Sequence, residues 1–566
     1  MLAAYPADPL VLDSWELENI FDEEFGNASG AGKRRREAIR REHEALWSTG
    51  QWGPPNYIPP APPISAHERQ QFNSFHGPRT QSYSCVLPGE LVRHCVDRMS
   101  AGVLDAVQLL HLEHLVVDEY QDLNPMDLQF VDLFVTQGAH VFVCGDDDQS
   151  IYSFRFASPA GIQTFVTKYP ACGQHTLSAC FRCAPAVLDA AVALIAANPQ
   201  PQRIAKHHAS LYGSASPPLS GAVHRWRFNS ETTEARAIAE SCRDLIAAGL
   251  APRDLLILVS NKNVLLPGLV REFQRVAVDF ESPREESFVD SKGGRLALAV
   301  LRIVGNADDY VAHRALLGLR HGVGIGSCDS VTASVIANNL NYRSVFYQPL
   351  PAGFLRGRPL AALTAARAIC SQMQQWSATD LLGLRAPEIE VIVAQALGTS
   401  EAQAWSAYAA QLPPGISLEE VRDHLQADTD EQQEALLRAV LTRQNLPIPP
   451  NGVLPPRVRA MTMHGAKGLS GKIVFIPGLE EEILPGQWRR PYPGLVLEAA
   501  RMLYVSVTRA RAACIISYAT NRTVNGQRGA TTPSRFAVNL NGQFLPRTAG
   551  LAAPEVLRIR QEVAQL

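Results

Sequence analysis

Two short apolar runs in this 566-residue chain end in carboxylates and amides. His114-Leu115-Val116-Val117 empties into Asp118-Glu119-Tyr120-Gln121-Asp122, and His140-Val141-Phe142-Val143-Cys144-Gly145 empties into Asp146-Asp147-Asp148-Gln149-Ser150. Acids delivered by strand ends hold Mg²⁺ and activate the water that attacks a nucleotide γ-phosphate. Asp118 and Glu119 can place the ion and the water side by side. The plain alternative is a solvated acidic loop, and the third acid, Asp122, with Tyr120-Gln121 between, argues against it. Just beyond Gln149, the spacing of Tyr152, Phe154 and Arg155 can present two rings and a cation to single-stranded bases. Stacking of a base on such a ring contributes about 1–3 kcal/mol and tolerates any sequence. Core packing is the alternative reading for Phe154.

The elements that must position these groups follow from the patterning. Apolar strands with functional carboxyl ends describe the rim of an open parallel α/β sheet. Residues 126–135, 157–168 and the apolar run Ala184–Ala197 fit the helices that alternate with such strands. Further strands are expected at Ala222–Phe228, Leu255–Val259, Arg457–Ala460, Lys472–Ile476 and Ala513–Tyr518, with a helix over Glu234–Ala248. Near the start, Val11–Glu24 predicts a short helix capped by Asp13 or Ser14, and 91–110 reads as helical. Residues 290–445 are rich in Ala and Leu and predict a mainly helical insertion. Gly53–Pro63 holds six prolines, which disfavours regular structure.

Composition bounds the class. An apolar fraction of 46% and a charged fraction of 19% are ordinary for a globular protein, and the length allows several domains. A net charge of −3 excludes a globally basic coat for nucleic acid but not a local track. The run Lys33–Arg41 is such a candidate, for duplex phosphates or simply as a solvated helix face. Neither a secretory leader nor a membrane span is expected, so a cytoplasmic location is. Of ten cysteines only Cys180 and Cys183 are closely paired. Reduced, mostly buried thiols are expected, a three-thiolate site with Cys172 being the alternative.

Five segments, in order, carry a family resemblance. Asp118-Glu119-Tyr120-Gln121-Asp122 resembles the Walker B motif of UvrD/Rep superfamily 1A DNA helicases, and Gly145 through Arg155 resembles their third motif. Leu177-Ser178-Ala179-Cys180-Phe181-Arg182-Cys183 is a looser likeness to the fourth. Thr462-Met463-His464-Gly465-Ala466-Lys467-Gly468-Leu469 is similar to the fifth, and Glu498 through Arg511 to the sixth. The resemblance implies an α/β fold of two RecA-like parallel-sheet motor domains, the first incomplete, with a mainly helical inserted domain. It implies ATP and Mg²⁺, with Asp118 organising the ion, Glu119 polarising water and Gln149 sensing the γ-phosphate. Arg182 and Arg509 would neutralise the transferring phosphate, Phe181 would stack on adenine, and Gly468 would lie at the nucleotide. Tyr152, Phe154, Arg155, Thr462 and His464 would meet DNA. The implied activity is 3′-to-5′ translocation on single-stranded DNA with unwinding of partly duplex DNA, away from any membrane.

The chain also departs from that pattern. Cys180-Phe181-Arg182-Cys183 stands where Asn-Tyr-Arg-Ser is usual, Phe154 where a tryptophan is common, and Ser470-Gly471 replaces Glu-Phe. The nearest approach to a phosphate loop, Asn27-Ala28-Ser29-Gly30-Ala31-Gly32-Lys33-Arg34, lacks the first glycine, the final hydroxyl and a preceding strand. It is rejected as a Walker A loop, whose backbone N–H groups would cradle the phosphates. The expectation is a chain without that portion. Three explanations stand: a truncated product, a protein partner supplying the missing amino-terminal motor segment, or a catalytically dead relative that binds DNA or a partner. The expected divisions are a first-motor remnant at 1–110, the rest of that motor at 111–170, the second motor at 171–289 and 456–545, the insertion at 290–455 and a tail at 546–566. After residue 520 no clustered carboxylates favour a nuclease.

Overall fold

The computed structural model describes residues 9–54, 62–212, 220–281, 287–427, 430–449 and 456–566. Most of the proline-rich run at 53–63 and the very start of the chain lie outside these residues. Contacts gather the chain into two units, one from Met1–Gly53, Ile58–His94 and Glu286–Leu454, the other from Pro54–Tyr57, Cys95–Glu285 and Pro455–Leu566.

The first unit is helical. Asp13 caps the opening turn, accepting from the Glu16 N–H at 2.7 Å while the Glu16 carboxylate returns to the Asp13 N–H at 3.0 Å. The helix Asp22–Ser29 ends at Gly30, whose φ of +75° suits glycine, and the next helix is Lys33–Thr49. Asn27–Arg34 is therefore a helix end, a turn and a helix start, entered from a helix and not from a strand. The basic run is divided between solvent, where Lys33, Arg34 and Arg41 stand, and acidic partners. Arg35 pairs with Glu68 at 2.6 Å, Arg36 with Glu23, and Arg40 with Asp22 at 2.9 Å and with Glu44. Those arginines tie helices together rather than form a free cationic track. At the centre, buried Glu24 accepts from Arg79 at 3.0 Å, Arg314 at 2.5 Å and the Tyr83 hydroxyl at 2.7 Å, the pairing a buried carboxylate requires.

This grouping differs from the division read from sequence. Phe21, Phe25 and Phe72 share one core with Leu296, Val311 and Val331, so helices assigned to a motor remnant and to an insertion bury their apolar faces together. Short amphipathic helices cannot each close a core alone, and sequence distance says nothing about which faces meet.

Beside a minor parallel pair, Ala179–Cys180 with Ala209–Ser210, and a hairpin, Asn521–Val524 with Gln527–Ala530, the second unit contains two parallel sheets that bear on the site. In the smaller, β1 (His114–Val117) pairs with β2 (His140–Val143), Val117 opposite Val143. The larger has seven strands: β3 (Ala222–Phe228), β4 (Leu255–Val259), β5 (Phe280–Glu281), β6 (Val458–Thr462), β7 (Gly471–Ile476), β8 (Ala510–Ala519) and β9 (Leu545–Pro546). Their order is β9-β3-β8-β7-β4-β6-β5, and every pairing is parallel. Parallel strands covered on both faces read as continuous apolar runs, and β4, Leu255-Leu256-Ile257-Leu258-Val259, is buried throughout. Its alternate side chains serve two cores. Leu256 and Leu258 join the helices α2 (Pro185–Ala196) and α3 (Pro493–Val507); Leu255, Ile257 and Val259 join Ile238, Leu245 and Leu266 on the opposite face.

The small sheet is not so covered. Leu115 and Val117 turn toward α1 (Pro125–Thr136), but Val116 is 67% and Phe142 60% exposed. Because β1 occupies one edge of β2, the peptide groups of Val141 and Val143 face an open edge. A groove of about 740 Å³ runs along it, lined by Val143, Phe165 and Leu177 among others.

Local expectations fail where glycine or a cap interrupts a helix. The helix expected over 91–110 is two, Glu90–Ser100 and Ala106–Leu110, separated by a turn with Gly102 at φ +68° and restarted by Asp105. Residues 157–168 form two single turns, Ala160–Gln163 and Phe165–Lys168. Among the described residues no helix is long and apolar enough to cross a membrane.

Candidate active site

The strand β1 ends in a strained turn. Glu119 takes φ +52°, the left-handed region that costs a side-chain-bearing residue energy. It is held there by Tyr120 N–H donating to the Cys144 carbonyl at 2.9 Å and Asp122 N–H to the Glu119 carbonyl at 2.9 Å. Exposed Asp118 accepts from the Cys144 thiol at 3.0 Å and the Glu119 N–H at 2.8 Å. The thiol first, then the amide, hold its carboxyl below the usual carboxylate range. An ionised, accessible oxygen is the donor Mg²⁺ takes, so Asp118 fits that role chemically. Buried Gln121 links the two acidic loops: its amide donates to Glu119 at 2.5 Å and its carbonyl accepts from the Asp146 N–H at 2.9 Å.

One lysine connects what the motifs separate. Lys467 pairs with Asp122, lies 3.2 Å from Glu119 and donates to the Gln149 carbonyl at 3.2 Å. Its ammonium also sits 5.4 Å from the centre of the Tyr152 ring. Burial pushes the Asp122 carboxyl up despite this partner. Lys467 lies within the fifth segment of the resemblance, and its 345-residue separation from Asp122 leaves no local signal of this contact.

The triple acid after β2 is also filled from within the chain. Asp146, Asp147 and Asp148 place one carboxylate oxygen each within 4.8 Å of one another, the only such group of three metal-type ligands among the described residues. Lys206 pairs with all three, and Arg203 grips Asp148 through two bonds of 2.8 Å. Burial opposes the Lys206 charge, and Asp146 and Asp148 more than reverse the effect. Gln149 turns its amide back to Asp146 at 2.8 Å. Cys172 does not join Cys180 and Cys183 in such a group, which removes the three-thiolate alternative.

The arginines lie in different settings. Phe181, 73% exposed, and Arg182 project into solvent. Arg509 is only 2% exposed and donates to the carbonyls of Val505 at 3.0 Å and Leu469 at 3.2 Å. It thereby braces the end of α3 against the turn at Gly468, which has φ +86°. Burial, then Arg182, lower its guanidinium to about 10, while Glu119 acts oppositely; Arg509 thus feels both charges. Two further α3 residues reach the third motif. Glu498 accepts from the Ser153 N–H at 2.8 Å and hydroxyl at 2.5 Å, and Arg501 donates to the Ser150 carbonyl at 2.6 Å.

The aromatic group is assembled and open. Phe154 is 48% exposed, which overturns the core reading, and its ring meets Tyr152 at 5.7 Å and His464 at 5.6 Å, both edge-on. The Arg155 guanidinium lies 5.6 Å and 5.8 Å from the Tyr152 and Phe154 rings. The Tyr152 hydroxyl donates to the His464 carbonyl at 3.4 Å. Burial and then Arg489 depress the His464 imidazole to about 4, so it is neutral at pH 7. The Thr462 hydroxyl accepts from the Gly465 N–H at 3.1 Å and shapes this turn.

A wound parallel sheet, with acids at the ends of a second parallel pair and basic groups beside them, is the architecture of RecA-like helicase domains. Residues 100–170 match the UvrD/REP helicase N-terminal domain, and residues 418–521 match the UvrD-like helicase C-terminal domain. The chain is 26% identical over 445 residues to DNA helicase II of Haemophilus influenzae, covering 76% of this chain and 58% of that protein. It is 26% identical over 438 residues to ATP-dependent DNA helicase PcrA of Staphylococcus aureus, covering 75% and 57%. With ATP-dependent DNA helicase UvrD1 of Mycobacterium leprae it is 28% identical over 468 residues, again 75% and 57%. The two domain matches and these relatives support a UvrD/Rep-family helicase. The chain spans less than three-fifths of the length of these relatives.

Proposed function

We propose that this chain carries the carboxylate, sensor and arginine side of an ATP-driven 3′-to-5′ DNA helicase that moves on single-stranded DNA and opens duplex. The observation that carries this reading is Lys467. One buried ammonium reaches Glu119 and Asp122, the Gln149 backbone and the Tyr152 ring, so the acids assigned to hydrolysis and the rings assigned to base stacking share a side chain. A change in charge at the acids would be felt at the rings without a long relay. In this reading Mg²⁺, held by Asp118, would supply positive charge at the phosphates. Glu119 would orient water, Gln149 would sense the γ-phosphate, and Phe181 and Gly468 would meet the nucleotide. Arg182, already exposed, and Arg509, once released from its carbonyls, would face the transferred group. Tyr152, Phe154, Arg155, Thr462 and His464 would contact single-stranded DNA, His464 as a neutral group.

A second reading, a split or catalytically silent relative that binds DNA or a protein partner, is favoured by the small sheet. Its open edge at Val141–Val143 and its bare Val116 and Phe142 are what a βα segment from a partner would cover, and a strand-first phosphate loop is such a segment. The test is DNA-stimulated ATP hydrolysis by the chain as given and by a version extended with a strand and a Gly-rich Lys-Thr loop. The extended protein should hydrolyse ATP and the given chain should not. Glu119→Gln in the extended protein should abolish hydrolysis and spare nucleotide binding. Robust turnover by the given chain would overturn the rejection of Asn27–Arg34. Silence in both versions, with DNA binding intact, would select the second reading.

A further inference from the structure

The only close cysteine pair lies on a loop whose ends are both fixed. The short strand Ala179–Cys180 pairs with Ala209–Ser210, and the Leu211 N–H donates to the Cys180 carbonyl at 2.8 Å. Three residues later the chain reaches Cys183, whose carbonyl accepts from the Ser210 hydroxyl at 2.7 Å, and α2 begins at Pro185. The order strand, Cys-x-x-Cys, helix puts both sulfurs at the amino end of a twelve-residue helix, where the dipole favours a thiolate. The Cys183 N–H points at the Cys180 sulfur at 3.5 Å, and the Cys183 thiol lies 3.3 Å from the Thr508 carbonyl.

The two sulfurs are inequivalent. Cys180 is partly exposed, beside solvent-facing Phe181 and Arg182, whereas Cys183 is buried. The neighbouring Cys183 side chain, then backbone N–H groups and Arg182, bring the Cys180 thiol down to about 5 against the opposing effect of burial. Cys183 is pushed up by Cys180 and by burial. Arg509, Tyr504 and Tyr212 are the other ionisable groups facing the pair, all on the Cys183 side. Elsewhere, partly exposed Cys144 spends its thiol on Asp118, which raises it, and burial raises Cys95. Cys85, Cys242, Cys328, Cys370 and Cys514 are buried.

We propose that Cys180 and Cys183 form a redox-active dithiol that reacts with hydrogen peroxide and closes to a disulfide across Phe181 and Arg182. The Cys180 thiolate attacks one peroxide oxygen, the O–O bond breaks, and hydroxide leaves and is protonated to water, giving a sulfenic acid. Cys183, surrendering its proton, attacks that sulfur; the S–O bond breaks and the oxygen departs as a second water. Two thiols lose two electrons and one peroxide gains them. Closure fixes the loop that carries Arg182, so the pair is a modification site set at a cation the motor reading uses.

The test needs no nucleotide and is independent of that reading. Reduced full-length chain is treated with a small excess of hydrogen peroxide, alkylated and cut with trypsin. Trypsin cuts after Arg182, so the disulfide appears as the 169–182 and 183–203 peptides held together until reduced, with Cys172 still alkylated. In Cys183→Ser, Cys180 should persist as a sulfenic acid captured by dimedone; in Cys180→Ser, Cys183 should stay reduced. Iodoacetamide should modify Cys180 with a pH midpoint well below the ~8.5 of an ordinary thiol. The proposal is overturned if Cys180 is no more reactive than Cys144 or Cys172. It is equally overturned if wild-type Cys180 halts at the sulfenic acid with Cys183 still alkylatable. Circular dichroism of both variants separates loss of reactivity from loss of fold.

Discussion

Two of the second unit's parallel sheets are built to the same pattern and finished to different degrees. In the seven-stranded sheet every residue of β4 is buried, alternate side chains feed helices on opposite faces, and the strands run in one direction throughout. In the two-stranded sheet one face packs on α1 while the other leaves Val116 and Phe142 in solvent, with the edge of β2 unpaired. Yet Asp118, Glu119, Asp122 and the triple acid at 146–148 all stand at the small sheet. Stability and chemistry have been placed in different hands: the large sheet supplies the core, and the small one supplies Asp118, Glu119 and Gln149.

That contrast can be broken most directly by deleting one aromatic ring from each sheet. Phe475 on β7 is wholly buried, and Phe475→Ala should cost about 3–5 kcal/mol in urea unfolding. Phe142→Ala on β2 should move the same transition by no more than about 0.5 kcal/mol. Equal losses would mean that the small sheet is as well packed as the large one. A smaller effect is expected where the sheets' loops are tied together. Lys467→Met leaves half-buried Asp122 without its cation and should cost about 1–3 kcal/mol, while detaching Glu119 and Tyr152 from a shared partner. An unchanged unfolding midpoint would mean that this lysine does not hold the loops.

The smallest effect is one of pH. The His464 imidazole titrates at about 4 in the fold against 6.5 ordinarily. Between those values the unfolded chain holds a proton that the folded one does not, so acidification from pH 6.5 to 4 removes stability. His464→Asn should flatten that part of the wild-type curve of urea midpoint against pH. If the two curves stay parallel, the ring is more open to solvent than its contacts with Phe154 imply.

Much of this was legible in the residues. The strands at 114–117, 140–143 and 255–259 follow from apolar runs bounded by polar ends, because backbone pairing and burial act on local pattern. The acids and the ring pair announced themselves by type and spacing. Helices were misjudged where Gly102 and Asp105 interrupt an apolar periodicity, since a turn of five residues hardly alters it. Between an exposed ring and a core ring the spacing left Phe154 open, and only its neighbours in space, a tyrosine and a histidine, decided for exposure.

What the chain determined by itself, then, is which residues end which strands and the family whose motifs they form. Only the tertiary structure decided that Lys467 joins Asp122 and Tyr152, that Lys206 and Arg203 fill the triple acid, and that Arg509 is spent on two carbonyls. It also decided that helices near both ends of the first unit's sequence share one core. These are contacts between side chains that can lie hundreds of residues apart, governed by desolvation and geometry after the backbone has closed. No local pattern encodes them, because the same lysine or arginine on an exposed turn would have left an identical sequence signature.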